Sequence, residues 1–230
     1  MSEIRVPVEP ERSVTAIVYA AAARQRAGIT LILGHGAGAG QRSAFMVSFA
    51  EALAARGIDT ATFDFLYTAE GRRLPDPNDR LEACWRAVIE TIAKDKKLGA
   101  NALAIGGKSM GGRIATQVAA AGAEVAALVL LGYPLHPPGK PKQLRSRHLP
   151  KIAAPMLFVQ GARDSFGTPE ELRPVLATLR APAELFVIDA GDHSFKVPKR
   201  AGVAQAAVYA AIQDKIADWL GQRSNRPKPL

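Results

Sequence analysis

At 230 residues the chain can bury one substantial core, and its 48% hydrophobic and 22% charged residues are the balance of a globular protein. No apolar run approaches the roughly 20 residues that span a bilayer, so no membrane association is expected. The net charge of +9 is local: five Lys/Arg lie within 136–151, three follow His193 (Lys196, Lys199, Arg200), and three sit in the tail (Arg223, Arg226, Lys228). The rest is nearly neutral, which excludes a basic nucleic-acid face spread along the fold. One cysteine rules out an internal disulfide framework and fits a reducing compartment. The opening MSEIRVPVEPERS has no apolar core of a signal peptide, so a cytoplasmic location is expected.

Ile4–Val6 alternates and Val14–Tyr19 is β-rich, predicting one or two edge strands, with a loop or turn over 20–27. Ile29–Leu33 reads as a short buried strand ending in the Gly-rich loop 34–40. Ser43 is placed to cap a helix carrying Phe45, Met46, Phe49 and Leu53, stopped by Gly57. Ile58–Phe65 is the next strand and 66–75 a loop. Asp76-Pro77 then reads as an N-cap with proline at the first helical position, and Leu81, Cys84, Trp85, Val88 and Ile92 form one face of the helix.

A strand begins at Ala102 and a helix follows Gly112. Val125–Leu131 is another buried strand, leading into the proline-rich, basic loop 132–154, and 155–160 is a further strand. Thr168-Pro169-Glu170-Glu171 matches a capping box, with Pro174 expected to limit or kink that helix. Ala183–Ile188 is the last strand and Val203–Leu220 an amphipathic helix. Alternating strands and helices with short apolar strands predict an α/β fold whose parallel sheet is covered on both faces. One domain over 1–220 is expected, with a mobile polar tail over 221–230.

The chemistry concentrates in Gly107-Lys108-Ser109-Met110-Gly111, a G-x-S-x-G between strand and helix. In that context the pattern describes a nucleophile elbow. The turn is so tight that side chains two positions either side of the serine would collide, and glycine removes them. Ser109 then projects at a helix N-terminus, where developing negative charge is stabilised.

Such a serine needs an imidazole base and an acid to orient it, in the chain order Ser, Asp or Glu, His. Of four histidines, His35 precedes the serine, and His136 and His148 lie in the long basic loop. His193 directly follows the last strand and is the only candidate that fits both order and placement. Asp164, just after the 155–160 strand, is the preferred acid; Asp189 and Asp192 are rivals on the histidine's own loop. The backbone N–H of Met110 is one expected oxyanion donor. Ala37 is the second, with Gly36 or Gly38 as alternatives in the same loop. That loop, G-H-G-A-G-A-G, only loosely follows G-x-G-x-x-G and lacks a Lys-Ser/Thr ending, which argues against a nucleotide site.

With the H-G-A-G loop, G-K-S-M-G-G-R, G-A-R-D-S-F-G and G-D-H-S-F in family order, the chain resembles the α/β-hydrolases from about residue 14 to 220, in the small dienelactone-hydrolase-like type. Within it the motifs are similar to a subgroup holding a testis-expressed protein and a subunit of a chromatin-associated acetyltransferase complex. The resemblance implies an α/β-hydrolase fold with minimal or no cap, Ser109 as nucleophile, His193 as base and Asp164 as orienting acid. Dienelactone hydrolases carry cysteine at the elbow, so their reaction is not implied for Ser109. Cys84, on a predicted helix, reads as packing.

The expected activity is that of a serine carboxylesterase needing no metal or cofactor, on a small or polymeric ester. His35, Gly36, Tyr133 and Phe166 are expected to contact substrate, and Phe65, Leu66 and Tyr67 are placed to line the same cleft. The basic loop 136–151 is either a solvated surface or a contact for an anionic substrate. Two other readings stay open: the same machinery acting on thioesters, amides or acyl acceptors, and a non-catalytic binding module. Oligomeric state, monomer or dimer, is not encoded in any motif.

Overall fold

The computed structural model describes residues 1–99 and 101–223. Eight strands form one sheet in the order β1-β2-β4-β3-β5-β6-β7-β8. The first two, Ser2–Glu9 (β1) and Arg12–Tyr19 (β2), are the antiparallel edge, and β2 also runs antiparallel to Asp59–Phe63 (β4). All later pairings are parallel, through Ile29–Gly34 (β3), Ala102–Lys108 (β5), Ala127–Leu131 (β6), Met156–Gly161 (β7) and Ala183–Ile188 (β8).

Strands β3, β4, β6 and β7 are buried along their whole length, which is why β6 and most of β3 and β7 read as apolar runs rather than alternating ones, while β4 buries Asp59, Thr60 and Thr62 as well. Helices cover both faces. Ala44–Ala55 (α1) and Gln205–Gly221 (α6) pack on one face through Phe49, Leu53, Ile212, Ile216 and Trp219. On the other, Asn78–Lys94 (α3), Met110–Ala120 (α4) and Pro169–Leu176 (α5) bury Trp85, Val88, Ile114, Val118 and Leu172. Trp85 is fully buried, and its Nε1–H donates to the Gly111 carbonyl at 3.3 Å, tying α3 to the start of α4.

Several local expectations are corrected. The segment 66–75 is not all loop: Leu66–Ala69 (α2) is a single helical turn, whose Tyr67 N–H is held by the Asp76 carboxylate at 3.1 Å. Asp76 therefore does not cap α3. That helix begins at Asn78 with Pro77 in the cap position and no side-chain cap, while Asp76 is taken up by Arg72 (2.7 Å) and Arg80 (3.3 Å). Ser43 has the extended backbone of an N-cap, but its side chain makes no capping bond. The strand expected over 58–65 is shorter, since Asp64 and Phe65 turn away to start α2.

The capping box at Thr168 is present, with Thr168 N–H to Glu171 Oε2 at 2.8 Å and Glu171 N–H to Thr168 Oγ1 at 3.3 Å. Pro174 sits within α5, which runs on to Leu176. The tail expected beyond 221 lies, from residue 224, outside the described residues. Among those described, the 132–155 connection holds one short 3₁₀ turn, Leu149–Lys151, and no cap domain is built there. None of the described helices is long and apolar enough to cross a membrane.

Candidate active site

Central strand β5, between β3 and β6, delivers the turn that carries Ser109. Ser109 has φ 50° and ψ −114°, a conformation non-glycine residues rarely adopt. It is held there from both sides: its N–H donates to the Leu131 carbonyl at 2.9 Å, and its own carbonyl accepts from Arg113 N–H at 3.0 Å. The glycines flanking it are sterically required. A Cβ at Gly107 (φ 147°) would lie 2.1 Å from the Gly34 carbonyl oxygen, and one at Gly111 would lie 2.2 Å from the same atom. The turn thus rests on the backbone of β3.

Three strand ends bring one hydrogen-bonded chain together. His193 Nε2 lies 2.9 Å from Ser109 Oγ, and His193 Nδ1 lies 2.7 Å from Asp164 Oδ2. Asp164 is buried after β7, with Oδ1 accepting from Phe166 N–H (2.8 Å) and Oδ2 from Gln160 Nε2 (2.8 Å). These donors hold the carboxylate at the histidine. With Asp164 accepting at Nδ1, the imidazole presents Nε2 to the hydroxyl, the tautomer able to take its proton.

Of the rivals, Asp192 is engaged elsewhere: its Oδ1 accepts from the N–H groups of Ser194 (2.7 Å) and Lys196 (2.9 Å), and the partner of His193 Nδ1 is Asp164 rather than Asp189. Arg163 does not pair with Asp164; its Nε donates to the Ala190 carbonyl. The Phe166 ring lies against His193, centroids 4.2 Å apart, shielding the imidazole on that side.

A cavity of about 940 Å³ opens over Ser109, lined by residues from α1 and α6 on one sheet face and from α3, α4 and the 132–155 connection on the other. Gly36, Ala37, Met110 and Phe166 line it. Met110 is the first residue of α4, so its N–H has no partner within the helix. The Gly36 backbone passes close enough that a Cβ there would lie 3.6 Å from Ser109 Cβ, which brings the 36–37 loop beside the hydroxyl.

Two expected contacts are placed elsewhere. His35 is fully buried beneath the loop, with Nδ1–H donating to the Gly36 carbonyl (2.8 Å) and Nε2 accepting from Phe65 N–H (3.3 Å). Burial pushes its pKa below the ordinary value, so it is a neutral brace for the loop. Tyr133 is also buried, and its hydroxyl donates to the Arg145 carbonyl at 2.6 Å. Phe65, Leu66 and Tyr67 pack into the core and do not line the cavity. Cys84 is buried too, its thiol pushed up to about 12 by burial, and it is inert.

Residues not singled out from the sequence contribute to the site. Gln160 supports Asp164 while its Oε1 accepts from Tyr133 N–H at 2.9 Å. Lys108 donates to the His193 carbonyl at 2.6 Å. Arg113 lines the cavity together with Arg145 of the basic loop already singled out; among the described residues the Arg113 guanidinium hydrogen-bonds only the neutral Asn78 Oδ1 and Gln117 Oε1, both at 3.3 Å. Arg113 lies one helical turn beyond Ser109, on the same side of α4, a spacing visible in the sequence. Among the described residues, no three His, Cys, Asp or Glu side chains group to hold a metal ion.

Solved structures share this architecture over nearly their full lengths. A dienelactone hydrolase from Anabaena variabilis is 22% identical with a TM-score of 0.76, over 97% of this chain and 98% of that one. A serine hydrolase without a lid from Xanthomonas campestris is 22% identical with a TM-score of 0.73, over 95% and 94%. An alpha-beta serine hydrolase homologue from Coxiella burnetii is 18% identical with a TM-score of 0.75, over 95% and 97%. These likenesses establish the fold. The family model for an alpha/beta hydrolase domain matches residues 27–221, and the chain belongs to that family.

Proposed function

We propose that the protein is a serine carboxylesterase that cleaves acyl esters through an acyl-enzyme, with Ser109 as nucleophile, His193 as general base and acid, and Asp164 as the orienting carboxylate. The observation that carries this reading is the unbroken chain Asp164–His193–Ser109, at 2.7 and 2.9 Å, opening on a cavity. Ser109 Oγ attacks the ester carbonyl as its proton passes to His193 Nε2. The oxyanion is received by the N–H groups of Met110 and Ala37. Collapse expels the alcohol, which takes the proton from His193, and water then repeats the sequence to release the acid. Asp164 stays ionised throughout, and the reaction calls for no metal or cofactor.

The cavity lining favours esters that carry a negative charge. Neither Arg113 nor Arg145 has a carboxylate within ion-pair distance among the described residues, and burial together with nearby Arg145 pushes the Arg113 pKa down. The lining acid, Asp76, is already neutralised by Arg72 and Arg80. An anionic acyl or alcohol group would relieve the repulsion between the two guanidiniums.

A fluorophosphonate probe tests the reading. A single adduct in the intact mass, mapped to Ser109 and absent from Ser109→Ala, is expected; an unmodified protein would leave the binding-module reading standing. Mono-4-nitrophenyl glutarate should be cleaved with a kcat/KM on the order of tenfold above 4-nitrophenyl butyrate, the gain falling with added salt. Equal rates for the two esters remove the anionic preference.

A further inference from the structure

We propose that Lys108 is a positioning residue for His193, its ammonium pinning the histidine's backbone carbonyl so that the ring stays aligned between Asp164 and Ser109. This rests on the esterase reading for what His193 does, but not for how it is held. The observation is a lysine in the nucleophile turn whose Nζ donates to the His193 carbonyl at 2.6 Å, linking the end of β5 to the loop after β8, 85 residues apart.

Two further features belong to the same junction. Gly132, at the end of β6 with φ 64°, leaves open the space the ammonium occupies: a Cβ there would lie 2.9 Å from Lys108 Nζ, 3.0 Å from the His193 carbonyl oxygen and 3.4 Å from His193 Cε1. The Phe195 ring lies beneath, with its centroid 5.4 Å from Nζ. Lysine, glycine and histidine, from the carboxyl ends of β5, β6 and β8, thus share one contact.

A half-buried ammonium at the cavity wall is an expensive way to fill this space, since an apolar side chain of the same length would pack there without desolvating a charge. No carboxylate lies within ion-pair distance of Lys108 among the described residues. The groups facing it are the His193 carbonyl, the Phe195 ring, and the more distant charges of Asp164 and Asp192, which favour the ammonium; burial outweighs them and pushes its pKa down to about 8. What the charge supplies is a strong, directional bond to one carbonyl oxygen. Asp192 braces the turn on either side through the Ser194 and Lys196 N–H groups, but among the described residues no other hydrogen bond reaches the backbone of His193 itself. Anchoring its backbone removes the loop motion that would swing Nε2 off the hydroxyl.

The test uses Lys108→Met, near in length and without charge or donor, beside the wild-type enzyme. Ester turnover should fall on the order of 10²-fold in kcat with KM within about threefold, the cost of a misplaced base rather than of lost binding. The wild-type kcat should fall on an alkaline limb near pH 8 that is missing from the variant. Proton NMR gives a readout free of turnover: the far-downfield Nδ1–H of His193, hydrogen-bonded to Asp164, should be sharp in the wild type and broadened or lost in Lys108→Met.

A variant that keeps the wild-type kcat, alkaline limb and downfield resonance overturns the proposal. A wild type with a sharp downfield resonance but no ester turnover overturns the esterase reading alone, and the resonance in Lys108→Met still decides on the anchor. Should Lys108→Met not fold, Lys108→Gln decides: its shorter neutral side chain should lose the same turnover and downfield resonance, and wild-type values in it overturn the proposal.

Discussion

Gln160 and Asp164 face one another across the turn that leaves β7: Gln160 Nε2 donates to Asp164 Oδ2 at 2.8 Å, the same oxygen that accepts from His193. Gln160 is fully buried, and its amide also joins the Tyr133 N–H and the Gly167 carbonyl. Gln160→Met fills a similar volume but leaves these groups unpaired and the carboxylate free to rotate. Stability should fall by about 2–3 kcal/mol, because a buried amide and a charged acceptor each lose a partner. Urea unfolding measures the first effect. Ester turnover, expected to fall by roughly tenfold as the imidazole loses its fixed orientation, measures the second. A variant as stable as wild type would show that water replaces the amide at no cost.

Asp164 and Asp192 separate under the same substitution. Asp164→Asn presents an amide to His193 Nδ1 and favours the wrong tautomer, so kcat should drop by about 10⁴-fold with the fold intact. Asp192 accepts two backbone N–H groups of its own turn and does not reach the imidazole. Asp192→Asn should keep most of the turnover and lose on the order of 1 kcal/mol of stability. Paired kinetics on the two variants checks this; equal losses would mean the acid was wrongly assigned.

The strands were legible because burial on both faces writes an unbroken apolar run, as in Leu128–Leu131 and Met156–Val159. The elbow was legible because the close approach of two backbones permits only glycine at 107 and 111. Elsewhere tertiary contacts overrode local rules. Asp76 has the sequence of a cap, but Arg72, Arg80 and the Tyr67 amide compete for its carboxylate and win. His35 and Tyr133 sit at strand ends beside the cavity, yet their side chains point into the core, a direction that chain position does not encode. Lys108 acts through a partner brought from another strand, so nothing near it in sequence reveals the role, while Gln160 meets Asp164 only four residues on but in a turn that no motif marks. Arg113 was within reach, being one turn beyond the serine.

The elbow's steric demand gives a prediction independent of chemistry. A methyl at Gly111 meets the Gly34 carbonyl oxygen at 2.2 Å and the His35 carbonyl oxygen at 2.7 Å, both backbone atoms of a buried strand end that cannot retreat. Gly111→Ala should cost several kcal/mol and yield little folded protein. Gly38→Ala, at a positive φ of 74° that the helical Gly111 does not share but with open space around it, should cost only about 1 kcal/mol of backbone strain. Thermal melting of both variants makes the comparison, and similar losses would show that the contact with the Gly34 carbonyl is not what excludes a side chain at 111.

His148 gives the molecule an acid-sensitive joint away from Ser109. Its Nε2–H donates to Thr116 Oγ1 at 2.8 Å, while the Thr116 hydroxyl donates to the Arg113 carbonyl at 2.6 Å, so the 132–155 connection is stitched to α4. Burial, then the charges of Arg113 and Lys151, push the imidazole down to about 4 from an ordinary 6.5. Between those values the unfolded chain binds the proton that the folded chain refuses. Stability from this group is therefore complete above about pH 6.5 and is lost as pH falls toward 4. Partial exposure discounts the loss to about 1–2 kcal/mol. His148→Gln retains a donor for Thr116 and has nothing to titrate. Urea midpoints at pH 7 and pH 4.5 should fall further for wild type than for the variant, which cancels the carboxylates common to both. Equal falls would place the acid sensitivity elsewhere.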